Sequence, residues 1–452
     1  MVEYDLPSKL LSHLSIAAEH VRSHDFVHIF SHHDADGVAA GSILACMLQR
    51  LDIEYQVSFV PVLDDDVLSM MRDSHSECIL MSDIGASYLD QFESLEKDVI
   101  VLDHHKSDKV EGSGIVYINP HNYDIDGMTS GCGSTLAFLL AVTIDERNWD
   151  LVKYAFGGLA GDRQLINGLT GLNTYLGEGA QERGLVTVTD GSLIPIGTLS
   201  QSLYISTEPY IRGVGGSSVG TKAFLEDAGI DQTKDFLDLT DDEKHRLSSM
   251  IAVKLLDQGV SIQTLEETAR TRYILKDMGM DAETLSDLLN ACGREKMGGI
   301  GVGICLGNKD SLAYARELNY NSKKDLIEAT VELDKMKVTP MEHIQFFDST
   351  ASGFTGMLCS IVMHFIGDPE KPTIGINYGT DGKAKASARG SWEQLDKGID
   401  LSVAMREASE SVGGQGGGHR IASGANFPSF RGQEFLKNLD EIIGKQLVTG
   451  AK

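Results

Sequence analysis

No stretch of this sequence approaches the ~18 consecutive apolar residues from which a membrane-spanning helix is built. The N-terminus also lacks a basic segment followed by an apolar one, the pattern of a secretory signal. The expectation is a cytoplasmic protein with no membrane partner. Cys-x-x-Cys spacing is missing too. The six cysteines, at 46, 78, 132, 292, 305 and 359, lie mostly among apolar or small residues and read as buried thiols in a reducing compartment. Positive charge is scarce: 39 Lys and Arg face 66 Asp and Glu, a net charge of −27. That balance opposes a nucleic-acid partner held by surface charge alone, although a metal-centred cleft brings its own positive charge. The acid surplus equally suits a basic protein partner or a salty or warm cytoplasm. What remains is ordinary. With 42% apolar and 23% charged residues over 452 positions, the chain has material for two or three domains with real cores.

Three short apolar runs organise the N-terminal third. Val99 to Leu102 run straight into Asp103, His104 and His105. Phe26 to Phe30 end in Ser31-His32-His33-Asp34-Ala35-Asp36-Gly37, and Cys78 to Met81 end in Ser82-Asp83-Ile84-Gly85. A short apolar run bounded by polar residues is the pattern of a buried parallel strand. Ligands of open parallel sheets bind at the strands' carboxyl ends. Carboxylates and imidazoles delivered there are metal ligands by type and placement. An Asp-His-His triplet alone would equally suit a solvated loop; three such deliveries to one sheet edge favour the metal reading.

These residues carry a family resemblance. His-His-Asp-Ala-Asp-Gly at 32–37, Ser-Asp-Ile-Gly at 82–85 and Asp-His-His at 103–105 resemble the first three motifs of the DHH phosphoesterase superfamily. Gly157-Gly158-Leu159-Ala160-Gly161-Asp162 matches a fourth, an Asp ending a small-residue helix. Gly413-Gly414-Gln415-Gly416-Gly417-Gly418-His419 resembles the glycine-rich loop of the DHH-associated C-terminal domain. Spacing and the inserted middle look most like the archaeal RecJ-like nucleases, which include the GINS-associated nuclease. The resemblance covers about three quarters of the chain.

The rest of the chain is read for organisation. Leu10, Leu11, Leu14, Ala17, Ala18 and Val21 make an amphipathic helix, and Gly37 opens a second one whose N-terminus suits an incoming phosphate. Asp64-Asp65-Asp66 reads as a solvated turn or helix start. The small residues 126–134 precede a helix from Thr135, suiting close packing or a phosphate. Alternating strands and helices over 25–165 imply an α/β doubly wound lobe. A mostly helical middle region, with a capping signal at Thr240 to Glu243, leads to a smaller α/β C-terminal lobe. The expected boundaries are 1–170, 171–340 and 341–452. Lys383 to Gly390 read as an edge strand facing phosphate, and 413–418 as a glycine loop whose N–H groups meet a ligand.

The resemblance implies a two-metal phosphodiesterase. In it Asp83 bridges the ions, Asp34 serves one, and Asp36, His104 and Asp162 serve the other. His105 is a ligand or meets the scissile phosphate, Asp103 orients a histidine, and His32 and His33 have no assigned role. A His expected four residues before Asp34 is Phe30 here, which favours the nuclease branch over the pyrophosphatases. Ser387, Arg389, Gly416, Gly417, Gly418 and His419 are the implied substrate-binding residues. Imidazole ligands favour Mn2+, with Mg2+ as the substitute. The implied partners are single-stranded DNA or RNA and replisome proteins such as GINS. Two alternatives stay open: a phosphodiesterase of short oligonucleotides or cyclic dinucleotides, and a replisome scaffold.

Overall fold

The computed structural model describes residues 4–108, 114–166 and 168–450. Five parallel strands form the first sheet: β1 (Phe26–His32), β2 (Glu54–Val60), β3 (Cys78–Ser82), β4 (Asp98–Leu102) and β5 (Ile115–Ile118), in the order β2-β1-β3-β4-β5. The central strands are continuous apolar runs because both faces are covered. Ile29, Leu80, Ile100 and Leu102 point into one core; Phe30, Ile79, Met81, Val99 and Val101 point into another. The first core is shared with α1 (Ser8–Arg22), α2 (Ala35–Arg50), α5 (Gly133–Ile144) and α6 (Val152–Gly161). The second is closed by α3 (Asp65–Arg72) and the short α4 (Leu89–Phe92). The lobe is doubly wound, as expected.

Local chemistry sets the helix starts. Asp64 caps α3 by accepting the Val67 N–H, so the Asp triplet is a helix start. α2 begins two residues earlier than expected, because Asp34 is its N-cap and accepts the Gly37 N–H at 3.0 Å. That cap satisfies one of the N–H groups at the helix start from within the chain. Gly37 is needed for clearance: a Cβ there would collide with the His32 carbonyl. In α1 the buried stripe is Leu10, Leu14, Ala17, Ala18 and Val21, while Leu11 is 43% exposed. Adjacent helical residues lie about 100° apart, and Leu11 falls on the solvent side of the stripe centred on Leu10, Leu14, Ala17 and Val21.

The described chain divides into two interleaved compact units, residues 1–191 with 270–321, and 192–269 with 322–452. The middle stretch is therefore shared. In the first unit, α7 (Leu172–Glu182) is followed by β6 (Val186–Thr189), which pairs with β7 (Arg272–Leu275), and β7 with β8 (Met280–Asp281). The helix Ala282–Arg294 then buries Leu285, Leu288 and Leu289 in the core of α2. Its Asn290 Oδ1 accepts the Ala35 N–H at 3.0 Å.

The second unit holds a six-stranded sheet of β9 (Thr339–Pro340), β10 (Gln345–Asp348), β11 (Thr373–Tyr378), β12 (Lys383–Arg389), β13 (Gln415–His419) and β14 (Ala422–Pro428), ordered β13-β14-β12-β11-β10-β9. Two sequence expectations are corrected here. The Lys383 strand is internal, between β14 and β11, and the glycine run 415–419 is itself the edge strand. Ala384, Ala386 and Ala388 face the core with the helices Leu401–Ser411 and Gly432–Gly450. Small side chains on one face and cations on the other fit an internal strand as well as an edge.

His28 on β1 is 3% exposed, with its ring nitrogens against Ser74 and Ser58 hydroxyls at 2.9 Å. Burial, aided by the Lys97 charge, lowers its pKa to about 4. Below the unfolded value near 6.5 the unfolded chain takes up a proton that the native state refuses. Urea unfolding should therefore lose stability as pH falls from 6.5 to 4, by about 1.4 kcal/mol per unit of depression. His28→Gln should flatten that dependence.

Candidate metal centre

The sheet register decides where the polar residues arrive. Ser31 pairs with Ser82, Ser82 with Leu102 and Leu102 with Ile118, so four strands end at one level. The chain leaves β1 toward β2 on one side and returns to β3 on the other. That is the topological switch point at which ligands of such sheets bind. Ser31 Oγ and Ser82 Oγ, 2.7 Å apart and fully buried, close its floor.

Asp83 follows β3 directly. Its φ is +58°, a left-handed conformation that Asp tolerates better than most residues. Its N–H donates to the Leu102 carbonyl at 2.9 Å. This bend turns a 3%-exposed carboxylate across the strand ends. Asp83 Oδ2 lies 3.5 Å from His32 Nδ1, which is 3.0 Å from Asp34 Oδ2. Asp83 Oδ1 lies 3.2 Å from His104 Nε2, which is 3.2 Å from Asp162 Oδ2. The two oxygens of one carboxylate thus face two separate groups. Ligand atoms of His32, Asp34 and Asp83 lie within 4.8 Å of one another, as do those of Asp36, His104 and Asp162. Asp83, Asp103, His104 and His105 form a third such group.

Neighbours set each side chain's orientation. The Gly127 carbonyl accepts from His104 Nδ1 at 2.8 Å. A carbonyl only accepts, so Nδ1 carries a proton and Nε2 is the atom that faces Asp83 and Asp162. No protein hydrogen bond satisfies that buried Nε2, nor His32 Nδ1. Asp36 is held at the N-terminus of α5: Gly133 N–H donates to Oδ2 at 2.6 Å, and Ser134 N–H at 3.0 Å and the Cys132 thiol at 2.9 Å donate to Oδ1. The small residues before α5 therefore hold a carboxylate of the chain itself. Close helix approach allows it, since a Cβ on Gly158 of α6 would strike Ser134 Oγ and Asp36 Oδ1. Asp103 accepts from the N–H groups of Ala86, His104 and His105 and from His105 Nδ1. It ties the end of β4 to the turn after β3. It also leaves His105, with a side chain 51% exposed, directed by Nδ1, with no hydrogen bond to its Nε2 among the described residues.

Electrostatics define what the site lacks. Burial first, then the charges of Asp36 and Asp34, raise the Asp83 pKa to about 7. Burial and Asp36 push Asp162 upward as well. Burial opposes charge on His32 and His104, but the surrounding carboxylates override it and raise both. Carboxylates this close cannot all ionise in a buried site without added positive charge. Oxygen and imidazole donors around two foci fit divalent cations.

In the other unit, strand register lines up Arg389, Ala422 and His419 in one row and Ser387, Gly424 and Gly417 in the next. Paired residues share a face, so Ser387, Arg389, Gly417 and His419 lie on one side of the sheet, with small residues between the cationic Arg389 and the exposed His419. Gly417 and Gly418 have φ of +151° and +140°, backbone that favours glycine. Gly416 faces elsewhere: a Cβ there would meet Met405 O and Ser409 Oγ of the helix Leu401–Ser411 at 2.7 Å.

His32 is the residue that sequence reasoning left without a role and the geometry places inside a group. Its signal was position: it is the last residue of β1 and two before Asp34. His33 instead sits with its carbonyl against Gly293.

Comparison with known proteins follows the same division. The DHH family N-terminal domain matches residues 26–159 and the DHHA1 domain matches 349–445. An uncharacterized protein of Methanocaldococcus jannaschii is 33% identical over 93% of this chain and 94% of its own. A crystal structure of exonuclease RecJ bound to manganese superimposes with a TM-score of 0.58 at 16% identity, covering 98% of this chain and 97% of that one. CDC45 from Entamoeba histolytica gives 0.61 at 12%, covering 96% and 99%. At these identities the structural likeness is one of fold.

If the carboxylates need divalent cations, Mn2+ should raise the melting temperature of the protein by mass action. Asp83→Ala should abolish most of that rise while leaving the circular dichroism spectrum native. A variant that still binds two manganese ions with wild-type affinity contradicts the placement of Asp83 between two groups.

Proposed function

Because the chain belongs to the DHH phosphoesterase superfamily, we propose that it is a metal-dependent exonuclease that hydrolyses phosphodiester bonds of single-stranded DNA or RNA. The observation that carries this reading is Asp83, whose two oxygens face two separate donor groups. His32 and Asp34 complete one site; Asp36, His104 and Asp162 complete the other. Imidazole in both sets favours Mn2+, with Mg2+ as the weaker substitute. When bound, two such ions lower the pKa of a water nucleophile and neutralise charge on the phosphate and the leaving oxygen. The chain's own residues do the rest. Asp83 fixes the spacing of the two groups. Asp103 holds His105 with its free edge available to the scissile phosphate, so His105 stabilises charge there or donates to the leaving oxygen.

Strand binding is assigned to the second unit. Arg389 offers a charged donor fork to a phosphate oxygen, with Ser387, His419 and the N–H groups of Gly417 and Gly418 on neighbouring phosphates. Gly416 contributes by letting β13 lie close to its helix. With a net charge of −27, such local cations and bound ions must carry the attraction for nucleic acid. The acidic remainder suits basic partners, and a place in replication or repair beside replisome proteins such as GINS is consistent with it. A pure scaffold would have no use for a full set of carboxylate and imidazole donors, which favours catalysis over that alternative.

Digestion of end-labelled single strands of DNA and RNA with Mn2+, resolved by length, tests the proposal. A ladder from one end supports it; cleavage of dinucleotides alone, or no cleavage, opposes it. Arg389→Ala should raise KM roughly tenfold, as expected for loss of a charged hydrogen bond. It should also flatten the salt dependence of strand binding by about 0.7 in log–log slope, with manganese content unchanged. His419→Ala should weaken binding and, if the imidazole lies near the scissile group, lower kcat too.

A further inference from the structure

Two residues outside every motif above connect the donor groups. Gln164 and Asn173 are 5% and 0% exposed. Gln164 comes two residues after Asp162, and Asn173 is in α7. Gln164 Nε2 donates to the Gly127 carbonyl at 2.9 Å, and its Oε1 accepts from Gly131 N–H at 3.1 Å and from Asn173 Nδ2 at 2.8 Å. Asn173 Oδ1 accepts from Thr135 Oγ1 at 2.8 Å. The Gly127 carbonyl is the one that receives His104 Nδ1–H. Gly131 and Thr135 bracket Cys132, Gly133 and Ser134, the three residues that hold Asp36. One buried polar network therefore runs from His104, on the loop after β4, to the cradle of Asp36, in α2.

Buried amides are tolerated only when their donors and acceptors are met. Here only one orientation of Gln164 meets them. Its nitrogen must face the Gly127 carbonyl and its oxygen the Gly131 N–H. This is why an amide fits and a carboxylate does not, since Glu would set an oxygen against a carbonyl. No corresponding polar chain reaches His32 or Asp34 through these two residues.

Resting on the two-ion reading above, we propose that Gln164 and Asn173 are positioning residues that hold Asp36 and His104 in register for one of the two cations, the one shared with Asp162. They touch neither ion nor substrate. Their effect is on the affinity and geometry of that single site.

The test is Mn2+ titration by calorimetry and metal analysis, below each protein's melting temperature. It compares wild type, Gln164→Ala, Gln164→Glu and Asn173→Ala. Asn148→Ala serves as a control. Asn148 is also a buried amide of this unit, 2% exposed, but it bonds the Ala141 carbonyl and Arg50. The expected result is one site weakened by about 10–100-fold in the Gln164 and Asn173 variants, the usual cost of losing a ligand's supporting partner. The other site should stay as in wild type, and raised Mn2+ should restore hydrolysis. Asn148→Ala should lower the melting temperature with both sites unchanged. If the Gln164 variants bind both ions as wild type does, or lose both sites equally, the positioning role is overturned. Should Gln164→Ala fail to fold, Gln164→Glu, close to it in volume, carries the same comparison. Wild type that binds no Mn2+ overturns the two-ion reading itself, a result distinct from any difference between variants.

Discussion

Like charges packed into a space with little water are the constraint on which this structure turns. Asp36, Asp83 and Asp103 are each 3% exposed or less, with Asp34 and Asp162 beside them. Burying carboxylates is costly unless each is bonded or neutralised. The fold meets this in three ways. Asp103 is saturated by backbone N–H groups and His105. Asp36 lies at the positive end of α5. Asp83 and Asp162 are left facing imidazoles, short of positive charge, and that shortage is what divalent cations would fill. The glycines of α6 follow from the same constraint, because only a helix without side chains at 158 and 161 can pass so near Asp36 and Ala35.

Much of this was legible in the sequence. Parallel strands announce themselves by unbroken apolar runs, and the polar residue that ends each run marks the sheet edge. Asp34, Asp83 and His104 could be placed at that edge in this way, whereas Asp162, which ends the helix α6, came only with the family resemblance. What holds them could not. Nothing in the pattern around Cys132 to Ser134 says whether freed N–H groups will meet a phosphate, a neighbouring helix or a carboxylate. That outcome depends on where α2 crosses α5, a matter of tertiary packing. Gln164 and Asn173 are two ordinary amides in polar surroundings, and burial alone sets them apart.

The second unit shows the limit of local reading in a different form. Alternation of Lys, Ala, Ser and Arg through 383–389 correctly marks a strand with one apolar face, yet it says nothing about how many neighbours the strand has. The glycine run reads as a loop because glycine disfavours strands. It is an edge strand because it pairs with β14 across a tight turn, and it keeps glycine at 416 because a side chain there would meet the backbone of the helix Leu401–Ser411. Both misreadings concern pairing, which the alternation of residues within one strand does not specify.

The interleaving of the two units bears on how the chain is made. The first sheet and its helices are all translated by residue 191, but the unit ends only at Asn321. Until the helix Ala282–Arg294 has left the ribosome, Val38 and its neighbours on α2 have no cover from Leu289, and Ala35 lacks its acceptor on Asn290. The nascent polypeptide must carry an unfinished apolar surface through the synthesis of about a hundred further residues, which at ordinary elongation rates is on the order of ten seconds. Chaperone demand in this window, and the insolubility of fragments cut near residue 191, would both originate in chain topology and not in any weakness of the finished core.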